Sequence, residues 1–410
     1  NKNGGISFAG ANNRYNSFQV DGAVANDSFG LAASGTNGGQ TGANPISMDA
    51  IEEIQVVVAP FDVRQSGFTG GAINSITKSG TNTVKGSAYA YYNNQDFIGT
   101  TAGPIAEGKE RKKYDAQYTQ TYGFTIGAPI IKNKLFIFAS AEYYNKSYPN
   151  VYTPANGTYD SQKLNATVTA GGKTFDYFTP ELADLMIAHY EKTYGVENTG
   201  ETYTQHQVND RSINAMARID WNINDNNKLM FRYQFMDAFA DKYGSGSYTY
   251  YFNNSSYKQS NRTNTFVLEL NSKVAENMSN EFRATAVIVR DQRTPGYAGA
   301  NMYIRDKITV NMGTEYSSGA NSMASDTYTI ADNFSIFAGN HNITVGTHNE
   351  IFKFNNVFLQ YAHAGYTFST INDFFKNNPS QFNYRFADPA VTGSDNPLWA
   401  ATTYAAQFGL

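Results

Sequence analysis

Between Gln117 and Asn356 one unit recurs three or four times: an alternating strand, a turn of a few residues, another alternating strand, then a long polar, aromatic-rich loop. The tight connections fall at Ile130 to Asn133, Ile223 to Asn227, Val274 to Ser279 and Ala338 to His341, all rich in the Asn, Gly, Lys or Asp that turns require. The long ones run 98–116, 148–207, 241–260, 294–325 and 357–398, far beyond ordinary connections. Long and short never exchange places. A soluble β-protein has no reason to keep that asymmetry, whereas a transmembrane antiparallel β-barrel has short turns on one side of the membrane and long loops on the other.

The strands obey a period of two, which sends successive side chains to opposite faces. In Tyr118 to Ala128 one face carries Tyr118, Gln120, Tyr122, Phe124, Ile126 and Ala128 and the other only Thr and Gly. Ile213, Ala215, Ala217, Ile219 and Trp221 oppose Ser212, Asn214, Met216, Arg218, Asp220 and Asn222; Leu229, Phe231, Tyr233 and Phe235 oppose Lys228, Arg232 and Gln234. Each run is about ten to fifteen residues, long enough for a tilted strand to cross about 30 Å of hydrocarbon, where soluble strands average about five or six.

Composition agrees without deciding. The 30 Tyr, 28 Phe and 35 Gly suit an aromatic-girdled barrel, and a large extracellular β-sandwich shares that makeup. A mean hydropathy of -0.48 and the lack of any apolar run near 18 residues exclude a helical membrane protein. The net charge of -4 leaves no basic footprint for nucleic acid. With no cysteine there is no disulfide and no thiolate site. No cofactor is expected.

Enzymatic and metal signals are weak. The histidines, His189, His206, His341, His348 and His363, form no H-E-x-x-H. Asp220, Asn222 and Asn224 imitate the start of an EF-hand loop, but Asp225 replaces its Gly and Phe231 its final Glu. Gly35 to Gly42 lacks the Gly-Lys-Ser/Thr of a phosphate loop, and no G-x-S-x-G frames a serine.

The first 82 residues break the rhythm. They carry FQVDGA (Phe18 to Ala23), a Gly, Asn and Thr-rich stretch from Ala25 to Asn44, then PISMDAIEEIQVVVAP (Pro45 to Pro60) and FDVRQSGFTGGAINSITKSGTN (Phe61 to Asn82). These runs resemble the second part of the plug domain of TonB-dependent outer-membrane receptors, most closely the Oar-like, OmpA-related branch. Gln19, Asp21, Gly22, Pro45-Ile46-Ser47, Asp62-Val63-Arg64 and Gly70-Gly71-Ala72-Ile73-Asn74 carry the resemblance, and GAPIIKNKLFIFASAEYY (Gly127 to Tyr144) is similar to that branch's first periplasmic hairpin.

The resemblance implies residues 1–82 as part of a plug and 83–410 as part of a barrel of 22 strands, with about ten present here. It further implies energised uptake through TonB, which would contact a segment upstream of the plug, outer-membrane lipid around the barrel, and a surface lipoprotein as a further partner. A plugged barrel of passive or secretion-linked role, and a surface β-rich binding protein, stay open. The opening NKNGGISFAG has no signal-peptide series, and Trp399 to Leu410 reads as a strand that stops without a turn, so the chain is expected to be a central fragment.

Within the plug, Asp49 to Glu53 is expected as a short helical turn and Ile54 to Val58 as a fully buried strand, with Gly70 and Gly71 allowing close approach or positive φ. In many members of the family a plug arginine follows that strand in an Ile-Arg-Gly or Leu-Arg-Gly triplet. Here Val57-Val58-Ala59 stand there, and Arg64 is the nearest replacement, expected to meet Glu142. For ligand contact the candidates are Asn26, Asp27 and Phe29 in the plug loop and Tyr248, Tyr250 and Tyr251 in an external loop, tyrosine being able to stack on sugars, peptides or aromatic chelators. Short helices are expected after Thr179-Pro180, ending at Gly195, and over Ile371 to Phe375, so the loops should build a roof.

Overall fold

A computed structural model of the chain describes residues 5–385 apart from 9, 11, 59–61, 63, 65–66, 101–102, 104–107, 109, 151–161, 195–198, 204–206 and 244–247. Four strands come first: β1 (Ser17–Val20), β2 (Ala23–Val24), β3 (Ile51–Val58) and β4 (Gly71–Thr77). They form one sheet in the order β2-β1-β4-β3, with β1 and β4 parallel. Asp21 and Gly22, both at positive φ (45° and 76°), make the tight β1–β2 turn, as an Asp-Gly pair in a two-residue hairpin should.

The second region is a wall. It opens with β5 (Lys85–Asn94), β6 (Tyr118–Ile131) and β7 (Leu135–Pro149); the next long loop holds the hairpin β8 (Lys163–Ala170) and β9 (Lys173–Tyr177) and helix α1 (Pro180–Tyr194). Then come β10 (Gln207–Asn224), β11 (Asn227–Lys242), the loop strand β12 (Thr249–Tyr251), β13 (Tyr257–Ala275) and β14 (Met278–Pro295). The loop strands β15 (Asn301–Ile304) and β16 (Thr309–Met312) precede β17 (Ala320–Ala338) and β18 (His341–Leu359), and β19 (Gly365–Phe368), helix α2 (Ile371–Phe375) and β20 (Gln381–Asn383) follow.

Nine of these, β5, β6, β7, β10, β11, β13, β14, β17 and β18, pair antiparallel with their chain neighbours in one sheet. All four tight turns lie where the alternation placed them. The expected tenth strand, Trp399 to Leu410, lies outside the described residues. Strands reach 19 residues in β13, β17 and β18, about 60 Å at 3.3 Å per residue, so even tilted they outrun the roughly 30 Å of hydrocarbon.

Alternation sorts the wall's faces. Tyr122, Phe124, Ile126, Ile219, Trp221, Phe231, Leu268 and Ile330 are exposed on one side. On the other, Ser212, Asn214, Met216, Arg232, Gln234 and Val267 are buried. The apolar side belongs to lipid, which alone makes such exposure favourable.

Two expectations for the N-terminal sheet are corrected. Ile54 to Val58 is not buried: β3 is an edge strand hydrogen-bonded only to β4, and Val56 is 55% exposed. A run rich in β-branched residues, here broken by Gln55, shows a β-strand but not how many faces are covered. The short helical turn expected over Asp49 to Glu53 is shifted and shorter: it covers Met48–Ala50, with Asp49 inside it, and the strand begins at Ile51. Gly71 sits in β4 at close approach, where an added Cβ would lie 2.6 Å from the Phe8 ring.

Candidate functional site: the sheet–wall latch and the loop roof

The polar face of the wall is covered by the N-terminal sheet. Asp21 is the centre of that contact. Its Oδ1 accepts from Thr77 N (2.9 Å) and its Oδ2 from the Thr77 hydroxyl (2.8 Å). Oδ2 also lies 3.0 Å from Nε of Arg232 in β11, and Oδ1 lies 3.7 Å from Nη1 of Arg218 in β10. Arg232 is 0% exposed. Its Nη2 donates to Val20 O (2.9 Å), while its approach to Asp21 is electrostatic rather than a directed hydrogen bond, Nε having no aligned acceptor. Arg218 donates to Thr77 O at 3.0 Å and pairs with Asp220 at 2.7 Å.

Arg218 and Arg232 are direct cross-strand neighbours. Like charges so placed repel. Asp21, delivered by a turn whose backbone must enter the left-handed region, supplies the missing anion.

Further contacts hold the sheet along β5 to β11. Glu142 accepts from Ser47 Oγ (3.1 Å) and Tyr89 Oη (2.5 Å). Gln234 donates to the Pro45 carbonyl, and Ser87 to Asp49, which also pairs with Lys78 at 3.3 Å. The Ser87 hydrogen bond, outweighing burial, holds the Asp49 carboxyl below its usual range. Val20, Ile46 and Ala50 pack on Phe138 and Met216, while Ala23 packs on Met230, Val267, Val287 and Val289.

The expected Arg64–Glu142 pair is corrected here. Arg64 is bound to Asp62 at 2.5 Å, close by in sequence, and Glu142 is taken by Ser47 and Tyr89. Glu142 does join sheet to wall, through hydroxyls rather than a guanidinium. The Asp21 latch was missed, yet it had a signal: the turn at Asn224–Asn227 sets Arg218 opposite Arg232, and two facing inward arginines call for an anion.

Above the wall the long loops fold together. Phe178, Leu182, Met186 and Tyr190 from the β7–β10 loop, Phe252 from the β11–β13 loop, Met302, Ile304 and Val310 from the β14–β17 loop, and Phe368, Ile371 and Phe374 beyond β18 share one buried core. Strands β12, β16, β15, β19 and β20, from three of those loops, make one five-stranded sheet. Thr179 caps α1 and Thr370 caps α2 through their hydroxyls; Gly195 lies outside the described residues. Glu201 knots the loops: its carboxylate accepts from Asn254 N (2.7 Å) and Gly313 N (3.1 Å). Burial pushes its pKa up to about 7.

The candidate ligand residues separate. Tyr250 is 4% exposed, inside the roof core, with its hydroxyl accepting from Gln162. It is core because β12 is flanked by β16. Tyr248 is 58% exposed and Tyr251 half-buried. Asn26 is occupied locally, accepting from Phe18 N (2.8 Å) and donating to Asn16 O (2.6 Å). Asp27 closes its own loop by accepting from Phe29 N and Ala32 N, and Phe29 stands edge-on to Phe354 of β18 at 5.2 Å. The structure brings no plug-loop candidate together with the tyrosines.

A lipid-facing antiparallel wall, with a small sheet bound to its polar side, defines a transmembrane β-barrel protein. The model of the outer membrane beta barrel domain matches residues 76–400, and the chain belongs to that family of the outer membrane. Over 240 residues the chain is 30% identical to the TonB-dependent transporter Oar of Myxococcus xanthus, a match covering 56% of this chain and 19% of that protein. The outer membrane transporter YddB from Escherichia coli has a similar fold, with a TM-score of 0.57 at 12% identity, over 90% of this chain and 44% of that one. The chain thus spans less than half the length of either relative.

Proposed function

We propose that this chain is part of a TonB-dependent outer-membrane transporter, with residues 1–82 as plug and 83–410 as barrel. The observation that carries the reading is the buried Asp21–Arg232 contact. A lumen built around a four-stranded sheet suits a barrel that must be opened by work, and suits a passive pore poorly. Its similarity to Oar supports TonB as the energy source, engaged through a segment upstream of residue 1.

The roof is the ligand platform in this reading. A surface with its own core presents side chains in fixed positions and loses little entropy on binding. Tyr248 and Tyr251 are its proposed contacts from outside, with Asp27 and Phe29 meeting the ligand from the plug; Tyr250 and Asn26 serve the fold instead. A surface lipoprotein would cover the same platform. Deleting TonB should abolish uptake by the full-length protein, and undiminished flux would favour a passive plugged barrel.

A further inference from the structure

The wall outruns the hydrocarbon on the long-loop side, and its outward face changes character there. Between Val274 and Phe266 the outward positions of β13 are apolar but for Ser272; from Asn264 on they are Asn264, Arg262, Ser260 and Lys258. Arg262 to Val274 is about 40 Å of strand, or about 28 Å of depth at a tilt of about 45°. Arg262 therefore stands where lipid tails give way to headgroups.

Arg290 of β14 faces it. The two are register partners, and like charges so placed repel. Each finds a carboxylate on its far side: Asp237 of β11 holds Nε and Nη2 of Arg262 at 2.9 Å, and Asp326 of β17 holds Nη1 of Arg290 at 2.5 Å. Among the described residues no carboxylate pairs with both arginines, and Nη1 of Arg262 and Nε and Nη2 of Arg290 have no partner. Their side chains are 62% and 49% exposed, so these donors can be reached. On the inner face the same arrangement, Arg218 opposite Arg232, receives Asp21 between the two.

The outward pair borders a groove of about 520 Å³, which Ser260, Gln292 and Ser322 line with hydroxyl and amide groups. Toward the loops Arg211 and Lys258 lie over the Phe239 ring at 4.9 and 4.4 Å and add positive charge to the same belt. Guanidinium groups match phosphate oxygens two at a time. Hydroxyl and amide groups suit the hydroxyls of a sugar.

We propose that this groove binds the phosphorylated sugar headgroup of an outer-leaflet glycolipid, its phosphate bridging Arg262 and Arg290 and its acyl chains lying on the exposed Phe266 and Tyr328 below. Asp237 and Asp326 preorganise the two guanidinium groups from outside the pair. The lipid supplies the anion that facing arginines lack, and it fixes the depth of the wall in the bilayer. The inference uses the lipid-facing wall alone and does not rest on the transport reading.

The test titrates the detergent-solubilised full-length protein with diphosphoryl lipid A and follows bound lipid by native mass spectrometry. The double variant Arg262→Gln/Arg290→Gln should bind about ten-fold more weakly than wild type, as loss of charged hydrogen bonds requires. Lys132→Gln/Lys134→Gln, which removes two exposed charges at the tight-turn rim, should bind as wild type does. Dephosphorylated lipid A should bind wild type as weakly as the phosphorylated form binds the arginine variant, and glucose 1-phosphate should not displace the lipid. Without lipid the arginine variant should keep the wild-type unfolding transition, since exposed ion pairs contribute little. Equal binding of the two lipids by wild type, an equal loss in the lysine variant, or displacement by glucose 1-phosphate overturns the proposal. Should the arginine variant fail to fold, the comparison of the two lipids on wild type decides alone.

Discussion

Asp21 Oδ2 and Arg232 Nε lie 3.0 Å apart, from regions separated by more than two hundred residues, with Arg232 wholly buried. The contact joins a strained turn to a membrane strand, and it defines how the N-terminal sheet is seated.

Removing either charge should be costly for that reason. Asp21→Ala leaves the buried Arg232 without its carboxylate while Arg218 keeps Asp220, a loss of about 3–5 kcal/mol for a desolvated partner. Thermal unfolding of the detergent-solubilised protein should show a lowered transition for D21A and for R232M, and a double variant should lose less than the sum of the two.

The roof should open as a unit. Phe252 and Phe374 come from different loops yet share one core, fully buried. Truncating either to alanine removes about 3–5 kcal/mol of packing. Hydrogen exchange should then rise together in the four loops that share this core, with wall strands unchanged; exchange confined to the mutated loop would show that the loops fold separately.

Acidity should strengthen the same region. Glu201 titrates near 7 in the folded roof because burial penalises its charge, against an ordinary value of 4.5. The folded state therefore holds the proton more tightly, and its advantage, complete below about 4.5, is lost as pH rises through 7. By linkage the difference amounts to about 3 kcal/mol. Roof protection should be greater at pH 5 than at pH 8, and Glu201→Gln should flatten that dependence.

Tyr248 and Tyr250 should behave differently despite being two residues apart. Tyr248→Ala should weaken ligand capture and leave the melting transition within about 0.5 kcal/mol, as exposed substitutions do. Tyr250→Ala should destabilise the roof. Equal effects on stability would contradict their opposite burial.

Much of this fold was legible because lipid enforces a local rule: every strand alternates, and every second connection is short. The Ile130–Asn133 and Ala338–His341 turns and the helix caps at Thr179 and Thr370 lie within a few residues of sequence, so propensity reaches them. The burial of Tyr250 is not legible from its own loop because it depends on β16, sixty residues away, and on Gln162 in another loop. Arg64 reads from the sequence as the nearest replacement for the family's plug arginine, with Glu142 as its expected partner, yet it pairs with Asp62, two residues away. Asp21 was noted only as part of a motif, since nothing local says that a turn residue will be inserted between two arginines of distant strands.

The account stands on lipid facing one side of the wall and the N-terminal sheet facing the other. Residues 1–410 contain no cysteine, so a single cysteine introduced here is the one thiol within them. Cysteines placed in turn at residues 213 to 221 of β10, carrying spin labels in the reconstituted full-length protein, test this most directly. At 213, 215, 217, 219 and 221 collisions with oxygen dissolved in lipid should dominate, and at 214, 216, 218 and 220 the labels should be immobilised against the sheet, giving a period of two. Uniform accessibility to a water-soluble relaxing agent, or no alternation, would contradict it.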